Sequence, residues 1–423
     1  MLSVEGARET ILQAVQPKGT EVIPFAKSLA RVLAVDVIAD APLPPFAQSA
    51  MDGFAVRAAD TADAIPERPV ALKILGTLAA GHLAPWTMAP GTAIRIMTGA
   101  PLPDGADAVV KREDTEVTSD SVIIFHPARP HEYIIPPGRD IPEGAKLLRA
   151  GDVITPGAVG LFAALGMTQV RVHQRSHVGI LALGDELVPP HLSVAPGQIR
   201  VSNLYAIAAS VAKYGGVPHN LGIARDHLHE IEGALRQAGD VDLLITLGGS
   251  QRGDFDMVDD LLGGTRAQMI FREIAANYAR SMIFGRFGQI PLCGLPGSPI
   301  ASFVTFEAFV RAAIWRLAGR RILEPPCLEA AVTMPLPATG GRAHFQPVWV
   351  EARPDGLLAM PLPVTKRAEL PPQTLANGLL YRPPASPACQ AGAHVWVEMI
   401  EPPFPRPPGG ESVGEFSGRA RVP

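Results

Sequence analysis

The sequence predicts an α/β fold with β-rich additions. Between residues 178 and 318, apolar runs of strand length alternate with stretches of helical spacing. Residues 69–125 and 326–402 break into short apolar runs separated by glycine and proline. Across 423 residues there are 43 prolines and 41 glycines, which suits many turns and disfavours long helices outside the alternating segment.

That segment starts at Val178–Leu183 (VGILAL), a strand that runs into Gly184-Asp185-Glu186. A helix capped by Ser202 or Asn203 extends through Lys213, and Gly215-Gly216 stops it. Val217–Ile223 is a weaker strand ending at Arg225-Asp226, and a helix over 227–238 follows. The apolar run Val241–Leu247 (VDLLITL) has the length and branching of a buried strand. It breaks into Gly248-Gly249, and Asp254 and Asp256 follow just before a helix from Met257. Gln289–Leu295 (QIPLCGL) enters Pro296-Gly297-Ser298-Pro299, where Ser298 suits an N-cap and Pro299 the first position of a helix to about Ala318. Strands alternating with helices predict a parallel sheet covered on both faces, with the loops after the strands converging on one edge. Glu186, Asp226, Asp254, Asp256 and the PGSP turn would then line one crevice. A glycine pair after a strand also serves as a plain turn, and an acidic loop residue as a cap or a solvated group. What favours a site is the recurrence of such turns at neighbouring strand ends.

The start, MLSVEGARETILQAV, reads as an amphipathic helix and lacks the basic start and apolar core of a signal peptide. Ser28–Asp40 is a second amphipathic stretch. In PLPPFAQSAMDGFAV (42–56) a proline-rich lead enters a tight turn that presents Asp52; an Asp-Gly hairpin turn accounts for the same residues. Within the β-rich stretch, IRIMTGAPLPDGADAVVKREDT (94–115) offers a hydroxyl at Thr98 beside the flexible Gly99. Residues 134–177 form a turn-rich lead into a helix near Pro156–Leu165 and a strand. The tail from Pro402 is rich in proline and glycine and is expected to be disordered.

Composition narrows the function classes. A net charge of −4 argues against a nucleic-acid footprint. No apolar run reaches the ~18 residues that span a membrane. Cys293, Cys327 and Cys389 are widely spaced and form no zinc pattern, so a reducing cytoplasm is the expected setting. The loop after Leu247 lacks the Gly-Lys-Ser/Thr of an ATP-binding P-loop, and Ser250 has no evident His–Asp partners.

Six pieces carry a resemblance: SAMDGFAV (49–56), IRIMTGAPLPDGADAVV (94–110), GDEL (184–187), GQIRVSN (197–203), the GG…GDFD pattern (248–256) and GLPGSP (294–299). In this order and spacing the sequence resembles the molybdopterin molybdenumtransferase family, which includes bacterial MoeA and the gephyrin E-domain, over residues 1 to about 400. The resemblance implies an elongated linker and dimerisation domain (1–44 with 139–177), an inserted β-rich domain (45–138) and an α/β molybdopterin-binding domain (178–325). A small β-barrel-like domain (326–402) would precede the tail (403–423). It implies a homodimer whose site lies between the α/β domain of one subunit and the β-rich domain of the other. The implied reaction inserts molybdate into adenylylated molybdopterin and releases AMP, assisted by Mg²⁺. Asp52, Thr98, Glu186, Asp226 and Asp256 match catalytic positions, and Asp226 and Asp256 would hold the metal, a hard ion that takes a few carboxylates. Gly248, Gly249, Asp254, Pro296, Gly297, Ser298 and Pro299 would bind the pterin nucleotide, with N–H groups at a helix start facing its charge. Transient contact with molybdopterin adenylyltransferase or apo-molybdoenzymes is implied as well.

The departures from the family pattern cluster on the molybdate side. Its lysine-bearing stretch reads Phe271–Ser281 (FREIAANYARS), with Arg272 and Arg280 as cations, and its Gly-Gly-Val-Ser-Val-Gly reads GGSQRG. Leu247, Ala182-Leu183, Ala301 and Pro347 stand where hydroxyl or arginine donors are usual, and KRAELPPQ (366–373) replaces a serine-rich turn. A dianion needs cations and donors in a partly dry pocket. Arg252, Arg280, Lys366 and Arg367 are the candidates to replace them. Two readings other than the family reaction follow: a non-catalytic molybdopterin carrier or assembly factor, and a hydrolase or nucleotidyl-transfer enzyme using the same acidic crevice.

Overall fold

Ser3 opens the first helix, α1 (Val4–Ala14): its hydroxyl accepts the Gly6 N–H at 3.0 Å, and Val4, Ala7 and Ile11 form one buried stripe. The computed structural model describes residues 1–225, 227–248, 267–363 and 370–403. The chain divides into two compact units. The larger takes Met1–Val35, Ala150–Val159 and the chain from Thr168 onward; the smaller takes Asp36–Arg149 and Gly160–Met167. Ser28–Asp40, the second amphipathic stretch, contains only the two-residue strand Val37–Ile38 and isolated bridges at Val32 and Leu33. Pro156 opens α2 (Pro156–Ala164), as its fixed φ permits at a first helical position.

The smaller unit holds a six-stranded sheet: β1 (Gly53–Val56), β2 (Val70–Leu78), β3 (Thr92–Ile96), β4 (Ala108–Lys111), β5 (Thr115–Val117) and β6 (Ser121–Ile124). Its order is β4-β1-β3-β2-β6-β5, and only β2 and β3 run parallel. Phe54, Val56, Leu72, Val122 and Ile124 pack one side, while Ala55, Leu78, Ile94, Ile96 and Val109 pack a second cluster. This alternation is the period of a sheet buried on both faces.

In the larger unit the central sheet comprises β7 (His177–Leu183), β8 (Val217–Ala224), β9 (Leu243–Leu247), β10 (Ala267–Phe271), β11 (Ile283–Phe287) and β12 (Ile290–Leu295). The order is β8-β7-β9-β12-β11-β10. The first four strands are parallel, and β11 and β10 are antiparallel to their neighbours. Alternate residues of β7 enter different cores: Val178, Ile180 and Ala182 one, Leu181 and Leu183 the other. Helix α3 (Asn203–Lys213) covers the first core with Leu204, Ile207 and Val211; α4 (Leu228–Gln237) covers the second with Ile231 and Leu235. Helices therefore lie on both faces, as the alternating pattern predicts. Edge strand β8 is only partly buried, which accounts for its weak apolar signal.

One feature corrects the sequence reading and a second refines it. The sheet is not wholly parallel: Gly288-Gln289 alone joins β11 to β12, and a two-residue link permits only antiparallel pairing. The helix from Pro299 is not uniform. It runs as α5 (Pro299–Thr305), widens to a π turn at Phe306–Val310, and resumes as α6 (Arg311–Leu317). The wide turn carries Glu307, buried beside Arg311 and Tyr214.

Beyond α6, β13 (Cys327–Val332), β14 (His344–Arg353), β15 (Gly356–Pro361), β16 (Gly378–Arg382) and β17 (His394–Met399) close into a barrel ordered β13-β15-β14-β16-β17. Asn377, just before β16, clamps the barrel backbone: its Oδ1 accepts the Val350 N–H at 2.6 Å and its Nδ2 donates to the Val350 carbonyl at 2.9 Å. Among the described residues no helix is long and apolar enough to cross a membrane.

Candidate functional site

The connections from β7 to β8 and from β8 to β9 run in opposite directions across the sheet, so the chain order reverses between neighbouring β7 and β9. In a doubly wound sheet such a reversal opens a crevice outside the carboxyl ends of those strands. Three predicted turns meet there. Gly184 donates its N–H to the Ala224 carbonyl at 3.2 Å, tying the end of β7 to the end of β8. Gly248 donates to the Leu295 carbonyl at 3.1 Å, tying β9 to β12.

Gly248 has φ +99°, and a Cβ there would lie 2.6 Å from the Leu183 carbonyl oxygen. Only glycine admits that approach. A Cβ on Gly297 would in turn lie 3.4 Å from the Gly248 Cα. Backbone from β7, β9 and the PGSP turn is thus packed without side chains between, which leaves peptide groups exposed to a ligand at close range.

The PGSP turn is held by two residues that the sequence reading did not assign to the site. Asn203, at the start of α3, donates from Nδ2 to the Gly297 carbonyl at 2.6 Å and to Ser302 Oγ at 3.3 Å. The Ser302 hydroxyl donates to the Pro296 carbonyl. Asn203 Oδ1 is buried with no hydrogen-bond partner among the described residues. The signal was present in GQIRVSN, an asparagine at a helix start, but its partner is a turn 94 residues away. Pro299 occupies the first turn of α5 and Ser298 is the N-cap residue, without a side-chain cap bond. Glu186 follows β7; its backbone carbonyl accepts the Ile199 N–H at 2.8 Å, which starts the parallel pair Leu187–Val188 and Ile199–Arg200. Because β11 is antiparallel to β12, the segment 272–282 with Arg272 and Arg280 begins and ends at this same carboxyl edge. A Glu273 carboxylate oxygen lies 3.9 Å from the Arg280 guanidinium. Asp226, Gly249, Asp254, Asp256, Arg252, Lys366 and Arg367 lie outside the described residues.

Asp52 and Thr98, in the smaller unit, are brought together. Gly53 pairs with Ile96 across β1 and β3, so Asp52 just before one strand faces Thr98 just beyond the other. The Asp52 carboxylate accepts the Thr98 N–H at 2.8 Å and its hydroxyl at 2.7 Å. These donations, with Arg112 and Arg95 nearby, hold the Asp52 carboxyl below the ordinary aspartate value of about 3.9. The sign is that of a depressed carboxyl: its contribution is present above the unfolded value and lost as pH falls through the folded one. In a carboxyl NMR titration, Thr98→Val is expected to move the Asp52 midpoint back up toward that ordinary value. An unmoved midpoint would deny the hydroxyl its part.

No group of three or more His, Cys, Asp and Glu residues among the described residues is arranged to hold a metal. Of the three thiols, Cys293 is buried in β12, where burial pushes it up to about 12.

Close-packed backbone turns at the reversal point of an α/β sheet, with Glu186 just beyond β7, define a doubly wound α/β protein of the switch-point class. Comparison with known proteins narrows this. Residues 2–166 match the model of the MoeA N-terminal region (domain I and II), and residues 179–316 match that of a probable molybdopterin binding domain. The chain is 33% identical over 403 residues to molybdopterin molybdenumtransferase 2 of Mycobacterium tuberculosis, spanning 94% of this chain and 99% of that protein. It is 33% identical to the molybdopterin molybdenumtransferase of Bacillus subtilis, with 90% of each covered. The crystal structure of the molybdopterin biosynthesis MoeA protein of Pyrococcus horikoshii superposes with a TM-score of 0.85 at 28% identity, over 95% of this chain and all of that one. The chain belongs to the molybdopterin molybdenumtransferase family, enzymes of molybdenum cofactor biosynthesis.

Proposed function

We propose that this chain inserts molybdate into adenylylated molybdopterin and releases AMP, in the cytoplasm, at the carboxyl edge of the central sheet. The observation that carries the reading is the junction of Gly248, Gly297 and the Leu183 carbonyl, a floor of bare backbone that admits a ligand at close range. The first N–H groups after Pro299 have no partner within α5 and would face the phosphate linkage. Glu186 would position the pterin or a water. Asp226 and Asp256 follow β8 and β9, which flank β7. They are hard oxygen donors of the kind that hold Mg²⁺, and the ion bound there would offset charge at the linkage. Asp254 and Gly249 would line the nucleotide. Asp52, ionised and oriented by Thr98, would complete the cleft from the partner of a homodimer. Arg280 and Arg272 are candidates to meet molybdate, with Arg252, Lys366 and Arg367. The four-part division given above, with boundaries near 44, 138, 177, 325 and 402, is part of the same reading, as is transient contact with the adenylyltransferase that makes the substrate and with the apo-molybdoenzymes that accept the product.

The test supplies purified protein with adenylylated molybdopterin, Mg²⁺ and molybdate, and follows AMP release and activation of an apo-molybdoenzyme. Both products are expected. Nucleotide binding with neither product would favour a non-catalytic molybdopterin carrier. Asp226→Ala and Asp256→Ala are expected to abolish turnover with the fold intact. Mixing Asp52→Ala and Asp256→Ala chains is expected to restore roughly a quarter of the wild-type rate, because each mixed dimer regains one intact cleft. No restoration would contradict a cleft shared between subunits.

A further inference from the structure

The parallel strands leave a second edge, and it carries a cavity of about 580 Å³, within the usual range for small-molecule sites. Its walls come from the larger unit alone: the segment 173–175 that leads into β7, the link from α3 to β8, the end of α6, and the start and finish of the barrel. These are amino-terminal strand ends, so the cavity is separate from the crevice described above.

Local sequence builds its most distinctive wall. Helix α6 is closed by Gly319, just past its C-cap Ala318, with φ +76°. The Gly319 N–H donates to the Arg316 carbonyl and the Arg320 N–H to the Trp315 carbonyl, both at 2.9 Å. This left-handed closure is the common glycine stop of a helix. It turns Arg320 back along the helix, where its guanidinium lies 4.5 Å from the Trp315 ring centroid. A Cβ at 319 would collide with the His173 imidazole, so the glycine is required for that packing.

Among the described residues the charges in this wall are not balanced. Arg31 pairs with Glu21, Lys213 with Glu401, and Arg311 with Glu307 and Glu398. Arg320 and Arg175 also line the cavity, and no salt bridge to either is found among the described residues. Arg320 is half-buried, and loss of hydration pulls its pKa down. His173 Nδ1 is buried with no hydrogen-bond partner among the described residues. The lining also includes the apolar side chains of Val153, Leu328 and Met399.

We propose that this cavity is a second binding site, for a small organic anion with an aromatic or apolar body and a carboxylate or phosphate head. Arg320 and Arg175 meet the head, and Leu328, Val153 and Met399 cover the body. The guanidinium fork suits either head group. The site is independent of the proposed reaction, and its ligand is free to be present or absent during turnover.

Calorimetric titration of the full chain with 2-naphthoate, naphthyl phosphate and the neutral 2-naphthamide tests this. At least one of the two anions is expected to bind at one site per chain, about tenfold or more tighter than the amide, as loss of a charge-assisted contact implies. Arg320→Gln is expected to remove that advantage and leave amide binding unchanged, with Arg175→Gln acting in the same direction. Asp226→Ala and Asp256→Ala are expected to leave anion binding as it is. Amide binding as tight as both acids, no binding at millimolar ligand, or anion binding unaffected by both arginine variants would overturn the proposal. So would loss of anion binding in the aspartate variants, which would move the ligand to the crevice.

Discussion

Arg311→Met is expected to cost the larger unit about 3–5 kcal/mol, read as a lower urea midpoint of its unfolding transition. Arg311 is 2% exposed. Its guanidinium lies 3.0 Å from Glu307 and 3.5 Å from Glu398, donates to the Met399 carbonyl at 3.1 Å, and stacks on Trp315 and Tyr214. Glu398 also takes Arg8 of α1 at 3.0 Å. One side chain thus joins the terminal helix of the α/β layer to the last barrel strand, and Glu398 carries the link on to α1. Removing the cation leaves Glu307 buried without its counter-charge, which costs far more than the pair contributes. Burial already pushes the Glu307 carboxyl above its ordinary range, opposed by Arg311 and by the Tyr214 hydroxyl, which donates at 2.7 Å. Without Arg311 the carboxyl rises further. A raised carboxyl contributes stability that is present below its unfolded value, near 4.3, and lost as pH rises through the folded one. The variant should therefore be hurt more at pH 8 than at pH 5. Adding Glu307→Leu should return most of the loss, because the unpaired charge goes with it. An Arg311→Met protein as stable as the wild type at pH 8 would show that the network carries no energy.

Gly248→Ala is expected to lower molybdate insertion by about 100-fold while leaving the chain folded, since a shift near 1 Å in a positioned ligand costs about that much. The methyl group would sit 2.6 Å from a backbone oxygen of β7, so strand ends must separate at the floor of the crevice. Gly222→Ala is the control. Gly222 shares a positive φ, +86°, but its Cβ would meet nothing within 4 Å. It should lose stability from backbone strain, about 1–3 kcal/mol, and keep its turnover. Equal activity in the two variants would mean that strain, not close approach, explains the glycine at 248.

The central strands were legible because β7, β9 and β12 are buried on both faces and appear as unbroken apolar runs. The helices α3 and α4 announced themselves by spacing and by the residues that start and stop them. The edge hairpin did not, because Ile283–Phe287 carries Gly285 and Arg286 and is recognised only through its pairing with β12. In the site, Asp52 and Thr98 were legible as separate candidates, and their direct bond depends on register across β1 and β3. Asn203 and Ser302 were overlooked for the same reason: each stabilises a turn by a contact that sequence distance hides. Asn377 was overlooked as well: it bonds the N–H and the carbonyl of Val350, 27 residues away.

By itself the sequence determined the layer architecture, the strand ends that carry acidic and glycine turns, and the family. Periodicity and turn chemistry are local properties that each segment carries alone. Only the tertiary structure decided which turns touch, that the sheet ends in antiparallel strands, that Glu307 and Arg311 are buried together, and that Arg320 faces a cavity with no carboxylate paired to it among the described residues. Those outcomes depend on contacts between residues far apart in the chain, where register, burial and the balance of charge are properties of the packed whole.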